Sequence, residues 1–232
     1  MNVKKCIPII RALLPSLFFC FRNLPFCQAV KLPILLYKPH LRGSCGGVKI
    51  DSERVTFGMV RLGFLTSVVY SNNGITIKNE GTIIFKGRCC IGNDSYIVTG
   101  KKGIIIFGQD FKATAGLKLV SECGITFGKN VLIGWGNIII DTNFHPLFDR
   151  NLQNFKKSYG SIEIGDNNWL SSQCMVMHSV RTSKDCVFGT RCLLTKNCNY
   201  ESHNVYGGAP ARVICRNVER IVGQDSINDY SF

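Results

Sequence analysis

The chain has 232 residues, 45% of them hydrophobic and 19% charged, which suits one large domain and excludes a disordered tail. Gly at 23 against Pro at 7, with no G-X-Y period, excludes collagen and favours a turn-rich β architecture over a helical bundle. Lys and Arg number 28 against 15 Asp and Glu, a net charge of +13, but no zinc-finger spacing or RNP-type aromatic motif accompanies the charge, so no nucleic-acid partner is expected.

The charge is uneven. Eight basic residues, from Lys4 to Lys49, precede the first acidic residue, Asp51. Residues 1–50 therefore read as a basic, partly helical N-terminal arm. Its apolar stretch from Ile7 to Phe21 is interrupted by Pro8, Arg11 and Pro15 and ended by Arg22, with no clear small-residue cleavage site after it. That is a poor secretory signal and too short for a membrane span. An amphipathic segment is expected instead, lying on a membrane or on the body of the protein, with peripheral membrane contact through residues 1–49. Twelve cysteines would suit a disulfide framework, but with no secretory signal and no CxxC pair the expectation is reduced thiols in a cytoplasmic protein.

The strongest organisational signal is a repeat of six residues. From Ile164 the chain reads IGDNNW, LSSQCM, VMHSVR, TSKDCV, FGTRCL. An apolar residue or Thr opens each hexad: Ile164, Leu170, Val176, Thr182, Phe188, Leu194. Four residues later stand Asn168, Cys174, Val180, Cys186 and Cys192. The rhythm also runs from Phe127 through Ile133 to Ile139, with weaker copies at Ile91 and Phe107. An even period keeps the opening residues on one face of a strand, whereas a helix would smear them. Short hexapeptide repeats suit a parallel β-helix whose coils share one apolar core. Cys174, Cys186 and Cys192 then read as small hydrophobes fitted into corners.

The rhythm breaks after DTNFHPLF, residues 141–148, at a polar stretch from Asp149 to Tyr159. In an extended segment Asp141, Asn143 and His145 project to one side. A loop leaving a rigid scaffold is a common place for a site, and imidazole is a natural base near neutral pH. GGAPAR, residues 207–212, reads as a turn that ends the coil. The tail, residues 215–232, has room for a short helix from Asn217 and carries no functional signal.

The hexads, DTNFHPLF, IEIGDNNWLSS (residues 162–172) and GGAPARVI (residues 207–214) occur in order. Together they resemble the hexapeptide-repeat, left-handed β-helix acyltransferases. The branch they most resemble is the O-acetyltransferases of bacterial polysaccharide and lipopolysaccharide clusters, with galactoside, maltose and serine acetyltransferases more distant. AVKLPI (residues 29–34) and GMVRLGF (residues 58–64) resemble the same branch. The resemblance implies an all-β fold: a left-handed β-helix over residues 51–214 with a loop at 146–160. It also implies a homotrimer, acetyl-CoA as donor and a sugar or glycan acceptor.

By resemblance, His145 is the general base. Asp141 either orients the imidazole or satisfies backbone groups at the loop entrance. Asn143 stands where an acidic residue is common in the family. The backbone N–H of Ser172 supplies an oxyanion donor. Coenzyme A lies between subunits, near Thr190, Thr195, Lys196 and Arg212, with Lys196 and Arg212 suited to phosphate. Trp169 either stacks on the ligand or packs within the core or a subunit contact. His145, His178 and His203 do not match the zinc pattern of γ-class carbonic anhydrases, so no metal is expected. The reading is transfer of acetyl from acetyl-CoA to a sugar hydroxyl. The alternatives are N-acetylation of a nucleotide-linked amino sugar and a non-enzymatic β-helix scaffold.

Overall fold

The structure is a computed structural model that describes residues 3–43 and 45–223. Helix α1 (Val3–Asn23) and the short α2 (Phe26–Ala29) come first, and the chain then winds into a left-handed parallel β-helix. The coils as far as Ile164 lay one strand on each of three sheets, of nine, seven and five strands, and the later coils reach the third sheet only through isolated bridges at Arg181, Thr182 and Tyr200. We call these the first, second and third faces in the order the chain meets them. The first edge joins the first and second faces, and the second edge joins the second and third.

The C-terminal coils follow the hexads closely. Trp169 stacks on Val187 and Val187 on Val205, a repeat of eighteen residues, or three hexads. The opening residues Leu170, Val176, Phe188 and Leu194 are fully buried, while Thr182 is half-buried. The corner residues Asn168, Cys174, Val180, Cys186 and Cys192 are buried too. Each corner cysteine donates to a carbonyl of the next coil: Cys174 to Gly189 (3.1 Å), Cys186 to Glu201 (3.3 Å) and Cys192 to Tyr206 (3.2 Å). Asn137 and Asn168 use the same corner differently, their amide oxygens accepting the N–H of Cys174 and Cys186 one coil on. A corner therefore takes a small side chain that either is apolar or reaches the neighbouring backbone, because buried polar groups must be paired.

The residue just before each corner adopts a left-handed backbone: Asn167, Gln173, Ser179, Asp185 and Arg191 have φ between 57° and 63°. Asn and Asp tolerate that region, which explains their recurrence there. The glycine after the opening residue has a different cause. A Cβ at Gly165 would stand 2.5 Å from the Ser183 carbonyl, so stacked coils exclude a side chain there.

The N-terminal coils are longer and fill their interior with aromatics. Phe85, Phe107 and Phe127 stack in register on the third face, with centroids 5.3 and 5.7 Å apart. Such pairs contribute about 0.5–1.5 kcal/mol each beyond area burial. The first coil begins at Ile34, inside the segment expected to be an arm to residue 50. Ile34–Leu36, Pro39–Leu41 and Gly47–Ile50 each pair with a strand of the next coil. Sequence did not reveal this coil because its turns do not keep the six-residue rhythm. Helix α1 covers the open end of that coil. Its inward stripe, Ala12, Ser16, Phe19 and Cys20, is buried, and Ser16 Oγ accepts the Leu36 N–H at 2.8 Å.

At the other end Arg212–Arg216 turns back antiparallel on Asn204–Gly207 and closes the stack. GGAPAR forms the turn between them, as its glycines and proline predict, with Ala209–Pro210 cis. Residues 217–223 carry no helix, and the rest of the tail lies outside the described residues. Every described cysteine is free.

Candidate active site on two edges of the prism

The excursion that breaks the hexad rhythm leaves the second edge after Asp141 and returns at Gly160. An antiparallel bridge between Thr142 and Tyr159 closes its base. Beyond it a hairpin pairs Leu147–Asp149 with Asn154–Lys156, and Phe148 meets Phe155 edge-on at 5.3 Å. Lys156 Nζ stands 3.0 Å from Asp149, and this contact, with the backbone N–H groups of residues 151 and 152, holds the Asp149 carboxyl below its ordinary range.

Asp141 is fully buried and fully occupied. Its Oδ2 accepts from Ser121 Oγ (2.8 Å), Cys123 N–H (2.9 Å) and Gly124 N–H (2.7 Å), and its Oδ1 from Glu122 N–H (2.8 Å). The position continues a polar ladder up this edge, in which Asn79 stacks on Thr99 and Thr99 on Ser121. Asp141 contacts the preceding coil and not His145. Of the two roles open for it, the geometry displays the second, satisfying backbone groups at the loop entrance.

Asn143 and His145 sit at the start of the excursion. The Asn143 N–H donates to Ser158 O and the His145 N–H to Asn143 O, each at 2.7 Å, so the backbone here is pinned. The His145 side chain is exposed and makes no hydrogen bond among the described residues. Asn143 Nδ2 lies 3.3 Å from Nε2 of His178, whose Nδ1 lies 3.2 Å from Ser179 Oγ. With the Asn143 amide donating, Nε2 accepts and Nδ1–H donates, which describes a neutral imidazole. Burial and the nearby charge of Lys196 lower the His178 pKa; Asp141 opposes them and Lys157 reinforces them. The sequence had offered His178 only as a poor zinc ligand. Its place was legible in the register: Ile139 pairs with Val176, so two residues on His178 lies beside Asp141.

Lys196 and Thr195 lie on the same edge one coil further. Thr195 is fixed by Tyr200, whose hydroxyl takes its N–H at 2.8 Å and donates to its carbonyl at 3.2 Å. Arg212, on the capping strand, joins this group through Cys198, its Nη1 2.7 Å from the sulfur. Burial pushes the Cys198 thiol up, but hydrogen bonds with Thr195 and Tyr200 and the Arg212 guanidinium bring it below its ordinary value. Asp141, Asn143, His145, Thr195, Lys196 and Arg212 are thus gathered along the second edge.

The remaining three lie elsewhere. Ser172 and Thr190 stand on the first edge, in successive coils, with Thr190 Oγ1 3.1 Å from Ser171 Oγ. The Ser172 N–H has no acceptor among the described residues. Trp169 is on the first face, between Leu132 and Val187, and is 37% exposed. The second face separates Ser172 from His145, so one chain alone does not bring the imidazole and that N–H together.

One described cluster has donor atoms suited to a cation: Asp185, His203 and Glu219, within 4.8 Å of one another. His203 Nδ1 lies 2.5 Å from Glu219 Oε2 and Lys184 Nζ 3.5 Å from Asp185 Oδ2, so the donor atoms already have partners within the protein.

No family profile matches the sequence. The galactoside O-acetyltransferase of Escherichia coli (strain K12) is 30% identical over 110 residues, which are 47% of this chain and 53% of that protein. That of Lactococcus lactis is 35% identical over 114 residues, 47% of this chain and 52% of the other. The chain therefore spans about half the length of the curated relatives it matches. The crystal structure of the polySia specific acetyltransferase NeuO superposes with a TM-score of 0.51 at 20% identity, covering 84% of this chain and 92% of that one. Over about half its length the chain is related in sequence to galactoside O-acetyltransferases, and its coils have the left-handed β-helix fold of the hexapeptide-repeat acetyltransferases.

Proposed function

We propose that the protein transfers acetyl from acetyl-CoA to a hydroxyl of a sugar in a glycan or polysaccharide precursor, in the cytoplasm where that donor is available. The observation that carries this reading is the second edge itself. An exposed imidazole stands on a pinned backbone, and two cations, Lys196 and Arg212, lie along the same edge in later coils. The similarity to galactoside O-acetyltransferases supports the same chemistry.

In this reading His145 takes the proton from the acceptor hydroxyl as its oxygen attacks the thioester carbonyl. The Ser172 N–H receives the oxyanion of the tetrahedral intermediate. As the intermediate collapses, the C–S bond breaks and the imidazolium returns its proton to the leaving coenzyme A thiolate. Because the two groups stand on different edges, we infer that His145 acts with the Ser172 N–H of another copy of the chain. A trimer places one subunit's second edge against a neighbour's first edge three times over. Thr190, Thr195 and Trp169 then border the groove that holds the donor, and Lys196 and Arg212 reach its phosphates. His178 is a positioning residue. As a neutral acceptor it holds the Asn143 side-chain amide, and the Asn143 backbone carbonyl in turn accepts the His145 N–H.

Calorimetric titration with acetyl-CoA and with dephospho-CoA tests this. The expected result is saturable binding that weakens without the 3′-phosphate, and in Lys196→Ala or Arg212→Ala. A folded protein that binds neither at millimolar concentration overturns the reading. Mild alkali then classifies the product, because esters are cleaved and amides survive.

A further inference from the structure

Helix α1 has two apolar stripes, and only one is used. Ala12, Ser16, Phe19 and Cys20 face the first coil. On the other side Ile10, Leu14, Leu17, Phe18 and Phe21 are exposed, with Leu14 at 77% and Phe18 at 62%. Phe21 meets Phe26 of α2 edge-on at 5.9 Å, and Phe26 is itself 74% exposed, so the patch continues past the helix end. Contiguous exposed apolar surface of this kind marks an interaction site.

From this surface we infer that α1 and α2 form an in-plane anchor for an anionic lipid bilayer. The charge selects that occupant. Arg22 borders the apolar concavity formed by Leu14, Leu17, Phe18 and Phe21, Arg11 lies within the helix, and Lys31 follows α2. No Asp or Glu occurs before Asp51, so nothing in the first fifty residues repels anionic headgroups. A second copy of the same arm would set positive charge against positive charge without compensation. The helix cannot cross the bilayer: no helix among the described residues is long and apolar enough, and one stripe of α1 is already packed on the coil. It can lie at the interface, with its apolar side chains in the acyl boundary and its cations among the headgroups.

The surface stands independently of the acyl-transfer reading, because lipid binding needs neither donor nor acceptor.

The test is co-sedimentation of the full chain with phosphatidylglycerol/phosphatidylcholine vesicles, compared with phosphatidylcholine alone. We expect binding that requires the anionic lipid, weakens at high salt and falls roughly tenfold or more in Leu14→Glu and Phe18→Glu. Both positions are exposed, and circular dichroism checks that the variants fold. Should either misfold, Arg11→Glu combined with Lys31→Glu tests the same surface through its charge. The inference is overturned if the parent ignores anionic vesicles or if the variants bind as it does. It is also overturned if the substitutions change the oligomeric mass while vesicle binding stays the same, which would assign the face to a contact between copies.

Discussion

Asp141 offers the sharpest test of the reasoning. Its carboxylate accepts three backbone N–H groups and one hydroxyl at 2.7–2.9 Å, with no exposed surface. Removing one partner of a buried polar contact leaves the others unsatisfied, at about 1–3 kcal/mol per group. Contacts sharing one acceptor are not additive, so the total falls short of four such costs, and we expect Asp141→Ala to cost about 3–5 kcal/mol through the donors it leaves unpaired. Asp141→Asn keeps an acceptor for the three donors now on Oδ2 but turns an NH2 towards the Glu122 N–H, a clash of about 1–3 kcal/mol. For a chain of this size each kcal/mol shifts the melting temperature by about 2–4 °C. Asp141→Asn should therefore melt about 2–12 °C below the parent, and Ser121→Ala less far below it. Thermal unfolding of the three variants, followed by circular dichroism, reads this directly. If Asp141→Asn melts with the parent but has lost CoA-dependent turnover, the structural account is wrong and the carboxylate orients the base.

His178 should make stability pH-dependent. Its pKa in the folded chain lies below its ordinary 6.5, so between the two values the unfolded chain binds more protons than the folded one. Stability then falls as pH drops below 6.5, and His178→Gln, which still accepts from Asn143, should flatten that slope in urea unfolding measured on either side of it. His145→Ala should lower turnover by about a hundredfold or more while leaving the melting temperature unchanged, because the side chain is exposed; a large loss of stability would argue for a structural role. Mixing His145→Ala subunits with subunits in which Ser172→Pro removes the N–H should restore part of the activity if the two groups meet across copies. Cys186, pushed up to about 12 by burial and the nearby Asp185, should resist a thiol reagent in the folded protein, while exposed Cys27, Cys45 and Cys215 react at once. Equal labelling rates would refute the corner packing.

Much of the fold was legible in the sequence because the β-helix is built from local repeats. A six-residue period needs only nearest-neighbour geometry, so Ile133, Ile139, Leu170, Val176 and Phe188 declare their burial by spacing alone. Cys174, Cys186 and Cys192 are placed by the same arithmetic. The loop at 146–160 was also visible, as the interval where the period fails. The coil at residues 34–50 was not, because long turns between its strands erase the rhythm while leaving the sheet pairing intact.

The site divided differently. Local sequence singled out the candidate residues: an imidazole beside an excursion, cations in later hexads and a terminating turn. Only the tertiary structure decided which of them meet. Contacts between coils join residues about eighteen or more apart, and sequence fixes those pairs only once the register is known. That register buried Asp141 under the backbone of residues 122–124, gave Asn143 to His178 and tied Arg212 to Cys198. It also set Ser172 on a different edge from His145, because a triangular coil turns a corner after each face: His145 leaves from the corner after the second face, whereas Ser172 stands one coil on at the corner before it.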